Sequence, residues 1–152
     1  DSTTCNALYK CFSDIERIGD HAINIIQYST DEDNKLSSSK YIEDELHQLA
    51  SLLSKSFSLL STYSLDSQDE CFEKIERIED RIDELTASYR QAQIERLMEK
   101  KVNALDCVIY SEILTDVERV SDHIMNIIQE AKRCNFTLSD EAIQSDPALS
   151  AA

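Results

Sequence analysis

The chain has little of what sheets and tight loops are built from: one Gly, one Pro and no Trp in 152 residues. So few turn residues cannot close many strand connections, whereas the abundant Leu, Ile, Glu, Lys, Arg, Ala and Ser suit long helices. An all-α class follows. No apolar run reaches about 18 residues, so no helix of this chain inserts directly into a membrane, and the charged start lacks the apolar stretch of a signal peptide. Positive charge is scarce as well, with 15 Lys and Arg against 30 Asp and Glu, a formal net charge of −15. That surface repels phosphate backbones and anionic headgroups, which argues against nucleic acid as a partner. The five cysteines (Cys5, Cys11, Cys71, Cys107, Cys134) are scattered, with no Cys-x-x-Cys pair. They read as reduced residues of a cytosolic protein, several beside apolar helix positions. The length fits one domain, and the start on Asp1 rather than Met implies a piece of something longer.

What the sequence does contain is an internal repeat. Asp14-Ile15-Glu16-Arg17-Ile18-Gly19-Asp20-His21-Ala22-Ile23-Asn24-Ile25-Ile26-Gln27 returns as Asp116-Val117-Glu118-Arg119-Val120-Ser121-Asp122-His123-Ile124-Met125-Asn126-Ile127-Ile128-Gln129, identical at nine of fourteen positions. A shared amphipathic helix would preserve the apolar positions; here the polar residues are preserved too. Glu16, Asp20 and Asn24, like Glu118, Asp122 and Asn126, stand four apart, so on a helix each trio forms one oxygen-bearing stripe.

Four stretches carry apolar residues at heptad spacing, the pattern of helices packed at small crossing angles. The first runs from about Thr3 to Tyr28, with Leu8, Ile15, Ile18, Ala22 and Ile25 on one stripe. A polar stretch, Ser29 to Ser39, breaks it. The second, Lys40 to Tyr63, places Ile42, Leu46, Leu49, Leu53 and Leu60 at the same spacing. The third opens with Ser67 and Glu70 spaced as a capping box, carries Ile75, Ile78, Ile82, Leu85, Tyr89 and Ala92, and ends near Lys100. Asn103 caps the fourth, which runs through Ile113, Val117, Val120, Ile124, Ile127 and Ala131 to Cys134. Short connections make neighbours antiparallel, giving an up-down bundle of four long helices over residues 1–135 and a flexible tail over 136–152.

Glu79 and Asp83 repeat the Glu-x-x-x-Asp spacing on the third helix. An antiparallel hairpin turning between Lys100 and Lys101 sets Glu79 opposite Asp122 and Asp83 opposite Glu118. Four carboxylates at one level repel unless protonated, paired with Lys or Arg, or neutralised by metal. Hard oxygen-preferring cations suit them; an ordinary salt-bridged surface, with Arg77, Arg81 and Arg119 as counter-charges, is the other reading. His21 and His123 directly follow the aspartates and point about 100° away from them, which makes them packing or orienting groups rather than ligands. Gly19 and Ser121 keep one equivalent position small. Ferritin-like di-iron sites need Glu-x-x-His; the spacing here is Glu-x-x-x-x-His twice, and no nucleophile or phosphate loop is visible. No enzyme is expected.

At Asp14 to Ala22 and Val117 to His123 the sequence resembles the PhoU family of phosphate-uptake regulators. More narrowly, it resembles the cytosolic region that follows the membrane part of bacterial sodium/phosphate cotransporters. The two Glu-Arg-x-x-Asp-His motifs and Glu79-Asp80-Arg81-Ile82-Asp83 carry the likeness, over about residues 5 to 134. It implies two pseudo-repeated three-helix bundles, each able to hold divalent or trivalent metal ions (iron, Mn, Mg or Zn). The metal ligands would be Glu79, Asp83, Glu118 and Asp122 in one bundle and Glu16 with Asp20 as half of the other pair. Two further helices would precede the first helix, whose uncovered face could then support a homodimer. The implied partner is a membrane transport domain in cis or a phosphate transporter in trans, and the implied location is cytoplasmic, tethered by an upstream transmembrane region.

Overall fold

The computed structural model describes residues 2–31, 36–37 and 39–138. Among them are four α-helices and no strand: α1 (Ser2–Thr30), α2 (Lys40–Ser61), α3 (Gln68–Met98) and α4 (Ala104–Cys134), with a 3₁₀ turn over Leu65–Ser67 before α3. The boundaries fall within a few residues of those the apolar spacing predicts. The Asn103 side chain accepts the Asp106 amide at 2.7 Å, which caps α4 as expected. Ser67 does not form its capping box. Its hydroxyl pairs with that of Ser64 at 2.9 Å, because the 3₁₀ turn draws it backwards.

The α3–α4 hairpin turns where the register required. Lys100 is left-handed (φ 58°), the Lys100 amide reaches the Leu97 carbonyl and the Lys101 amide reaches the Arg96 carbonyl. These are the two bonds of a Schellman ending, built on lysine instead of glycine. Asn135 (φ 51°) ends α4 in the same way, and the chain then folds back, so that Thr137 Oγ1 and the Leu138 amide both donate to the Tyr63 carbonyl. Thus the first residues of the segment read as a tail are held against the core; 139–152 lie outside the described residues.

α2, α3 and α4 enclose a core in two contiguous halves. Near the hairpin, Ile42 and Leu49 meet Ile78, Ile82, Leu85, Tyr110, Leu114 and Val117. Toward the other end, Tyr63, Cys71 and Ile75 meet Val120, Ile124, Ile128 and Ala131, closed over by Phe136 and Leu138. A buried polar knot fixes the register of the three helices. Glu45 of α2 accepts from both arms of the Arg96 guanidinium on α3 and from the Tyr110 hydroxyl on α4, and burial followed by this bond pushes the Tyr110 phenol well up. The five cysteines are free thiols; only Cys11 and Cys71 are core residues, and burial pushes the Cys11 thiol up to about 11.

The fourth helix of the expected bundle has a distinct place. α1 packs chiefly along α4. Of its predicted apolar stripe, Ile18 and Ile25 are half-buried against the core, while Leu8, Ile15 and Ala22 face outward. The repeat makes the contrast residue by residue. Leu8, Phe12, Ile15, Ile23 and Ile26, 41–67% exposed, correspond to Tyr110, Leu114, Val117, Met125 and Ile128, all at 8% or less. A Cβ built at Gly19 would meet nothing within 4 Å, whereas its counterpart Ser121 is 3% exposed. One face, copied twice, is the centre of a core on α4 and bare on α1.

Candidate functional site

The repeated motif meets itself. α1 and α4 are antiparallel, and this sets each copy's aspartate beside the other copy's histidine and asparagine. His21 Nδ1 lies 2.7 Å from Asp116 Oδ1, which Asn24 Nδ2 also approaches at 3.4 Å. Reciprocally, His123 Nδ1 lies 2.7 Å from Asp14 Oδ1, with Asn126 Nδ2 at 3.2 Å. Because an ionised carboxylate only accepts, Nδ1 is the donor in each ring. Between the two clasps the imidazoles stack, centroids 5.6 Å apart and planes inclined by 23°. The arrangement is pseudo-two-fold, and it accounts for why Asp, His and Asn were duplicated: each copy supplies one acceptor and two donors to the other. The histidines are helix-packing groups, as their offset from the neighbouring aspartates predicts.

The second polar cluster lies on the α3–α4 edge. Thr86 and Arg90 sit one and two turns beyond Asp83 on the same face of α3. They reach Glu118 at 2.6 Å from the hydroxyl and at 2.9 and 2.7 Å from the two guanidinium nitrogens. The Arg90 bond holds the Glu118 carboxyl below the usual range against the opposing effect of burial. The other three lack such a partner. Glu79 and Asp83 form no ion pair among the described residues, and Asp122 has only Arg119, one turn earlier on its own helix, at 3.8 Å. Burial, and then the charges of Asp83 and Asp122, raise the Glu79 pKa. Burial, then Asp122 and Glu118, raise that of Asp83. Burial foremost raises that of Asp122. So the four lie along one edge, as the hairpin register requires, but unequally: Glu118 is neutralised by Arg90, Asp122 has only the longer contact to Arg119, and Glu79 and Asp83 form no ion pair among the described residues.

Hard oxygen donors are chemically suited to a metal ion. Among the described residues, however, no three His, Cys, Asp or Glu side chains converge closely enough to hold one, and both Glu118 oxygens are engaged by Arg90 and Thr86. As folded, Glu118 is engaged by protein donors, which leaves Glu79, Asp83 and Asp122 as the carboxylates without a bidentate partner. Glu16 and Asp20 are exposed on α1. They occupy the positions of Glu118 and Asp122, but no described helix stands to α1 as α3 stands to α4.

A family profile for the PhoU domain matches residues 43–131, from the first turn of α2 to nearly the end of α4. The chain belongs to the PhoU family. The matched segment is the three-helix unit together with the second motif copy; the first copy, on α1, lies outside it. Among curated proteins this PhoU-family chain is similar to phosphate-specific transport system accessory protein PhoU homolog 1 of Thermotoga maritima, 28% identical over 126 residues that cover 81% of the chain and 53% of the relative. It is also similar to the homolog of Deinococcus radiodurans, 24% identical over 125 residues, covering 82% and 58%. The chain therefore spans little more than half the length of these relatives. No solved structure matches.

Two functional features escape the sequence reading of this PhoU-family chain. Asp14 and Asp116 were duplicated in plain sight, seven residues before each histidine, a spacing that puts both on one helix face; pairing them across an antiparallel α1–α4 contact would have exposed the clasp. The sequence offers Arg77, Arg81 and Arg119 as counter-charges, whereas in the structure Arg90 takes the part toward Glu118. It stands seven residues after Asp83, two turns along the same stripe, while Arg81 turns outward to Glu84 at 3.0 Å.

Proposed function

We propose that this chain is a non-catalytic regulatory module of phosphate uptake, acting by binding a transporter rather than by chemistry on a substrate. The observation that carries the reading is the bare apolar face of α1, built from the same residue pattern that α4 buries between two helices. A face so patterned suits an interaction surface of a larger assembly, and the relatives' names, phosphate-specific transport system accessory proteins, support phosphate transport as its setting. No described helix is long and apolar enough to cross a membrane. In its finer form the proposal is a cytosolic domain tethered to a sodium-dependent phosphate permease; the second reading, favoured by the relatives' description as accessory proteins, is a separate adaptor of an ATP-driven transporter. Radiolabelled phosphate uptake in cells with and without the gene, in sodium and in sodium-free medium, tests both. Loss of repression in phosphate-replete medium supports the regulatory role. If the released uptake requires sodium the permease form stands, and if it does not the adaptor form stands. Unchanged uptake in both media would remove the proposal.

A further inference from the structure

Glu118 finds its counter-charge inside the chain. Arg90 Nη1 and Nη2 reach Oε1 and Oε2 at 2.9 and 2.7 Å, the fork in which one guanidinium engages both oxygens of a carboxylate, and Nη2 also donates to Thr115 Oγ1 at 3.0 Å. Both side chains are largely shielded from water, 29% and 25% exposed. The same guanidinium lies in the field of Asp83, which stands opposite Glu118 in the hairpin register and two turns before Arg90 on α3. The family resemblance gives Glu118 a second claimant, because Glu79, Asp83, Glu118 and Asp122 are the acids it assigns to a metal ion. With Glu118 turned to Arg90, no three acids among the described residues converge closely enough to share one. A divalent ion on Glu118 beside the fork would face a full positive charge across the same carboxylate, and like charges at such a separation repel strongly.

From this geometry we infer that Arg90 and a divalent cation are alternative counter-ions of Glu118, so that Arg90 sets the affinity of the α3–α4 edge for the ion and leaves Glu118 when the ion is held there. The ligand set is the one the family resemblance implies; the competition comes from the fork. Displacement has a route. Arg90 also lines a cleft of about 230 Å³ with Ile94, Cys107, Val108 and Ser111, one turn nearer the hairpin, which accommodates the side chain once released. Thr86, a neutral donor to Glu118 at 2.6 Å, repels no cation and can stay. The other arginines of this edge do not compete in the same way: Arg81 turns outward to Glu84, and Arg119 makes one longer contact, at 3.8 Å, to Asp122. An ion that must displace an internal arginine is held less tightly than four free carboxylates would hold it, which makes its occupancy responsive to its concentration.

Titration calorimetry of the purified chain with Mn²⁺ alone tests this. Arg90→Ala should bind Mn²⁺ about tenfold more tightly than wild type, and Arg90→Lys, which keeps the charge but not the fork, should fall between them. Arg81→Ala should change the affinity less than about twofold, which separates the fork from the loss of a distant positive charge. Thermal stability should move the other way: without Mn²⁺ Arg90→Ala melts below wild type, and saturating Mn²⁺ raises its Tm by more. A merely structural arginine would lower Tm in both conditions and leave the affinity unchanged. In side-chain ¹H–¹⁵N spectra the Nη signals of Arg90 should move on addition of Mg²⁺ while those of Arg81 stay. Binding by Arg90→Ala alone also supports the competition. It is overturned by equal or weaker Mn²⁺ binding in Arg90→Ala, by an equal gain in Arg81→Ala, or by no binding in wild type and variants alike. Binding that survives Asp83→Asn with Asp122→Asn overturns it as well. Should circular dichroism show Arg90→Ala unfolded, Arg90→Lys decides by the same criteria. Phosphate uptake does not enter the assay, so the competition can fail while the regulatory role stands, and the reverse.

Discussion

Replacing Asp116 with alanine removes the acceptor of two donors at once. The Asp116 side chain is 10% exposed and that of His21 is 21% exposed, so water compensates only in part. A hydrogen bond to a charged partner contributes about 1.5–3 kcal/mol, and orphaning a buried donor adds its desolvation cost. With His21 at 2.7 Å the dominant contact and Asn24 at 3.4 Å a weak one, Asp116→Ala should destabilise by roughly 2 kcal/mol, a fall in Tm of about 4–8 °C for a chain of this length. His21→Ala removes the same bond from the other side and should cost somewhat less. If the two residues act on each other, the double variant is not the sum. Urea unfolding followed by circular dichroism should give a coupling energy of about 1–2 kcal/mol for His21 with Asp116, but under about 0.5 kcal/mol for His21 with Asp14 on its own helix. Additive behaviour of His21 and Asp116 would refute the reciprocal clasp.

Three further outcomes follow from the same geometry. Lys100→Gly should stabilise the protein by about 0.5–1 kcal/mol in thermal unfolding, since the left-handed turn suits glycine and the side chain removed is exposed. Asp83→Asn should raise stability at neutral pH by a few tenths of a kcal/mol after screening. Its folded pKa is raised, so this group's contribution is most favourable below the ordinary carboxylate range and is lost as pH rises through the folded value; the advantage of the variant should therefore vanish in acid, and a gain that persists there would refute the repulsion argument. Glu118 behaves oppositely. Its depressed pKa gives stability that is present above the ordinary range and lost as pH falls, so Arg90→Ala should destabilise at neutral pH and matter progressively less in acid unfolding curves.

The helices and the hairpin register were legible because heptad spacing and a lone cap at Asn103 each fix them locally. The convergence of Glu79, Asp83, Glu118 and Asp122 on one edge was legible for the same reason: an antiparallel hairpin with a known turn has one register. How they are balanced was not, since that depends on which arginine lies on the shared stripe, and Arg90 was hidden two turns away. The position of α1 was also beyond pattern alone. Its apolar stripe looks like that of α4, and nothing in the residues says that one copy finds two helices to cover it while the other, among the described residues, finds none. Asn24 and Asn126 were grouped with the carboxylate stripes by their spacing of four, yet the antiparallel neighbour draws them to the aspartates of the opposite copy.

The account turns on the two motif copies facing each other crosswise, and side-chain ¹H–¹⁵N correlation spectra of the histidines read this directly. Asp116→Asn should shift the Nδ1 resonance of His21, and Asp14→Asn that of His123. Should each substitution instead move the histidine of its own helix, or neither, the clasp and the α1–α4 arrangement built on it would be contradicted.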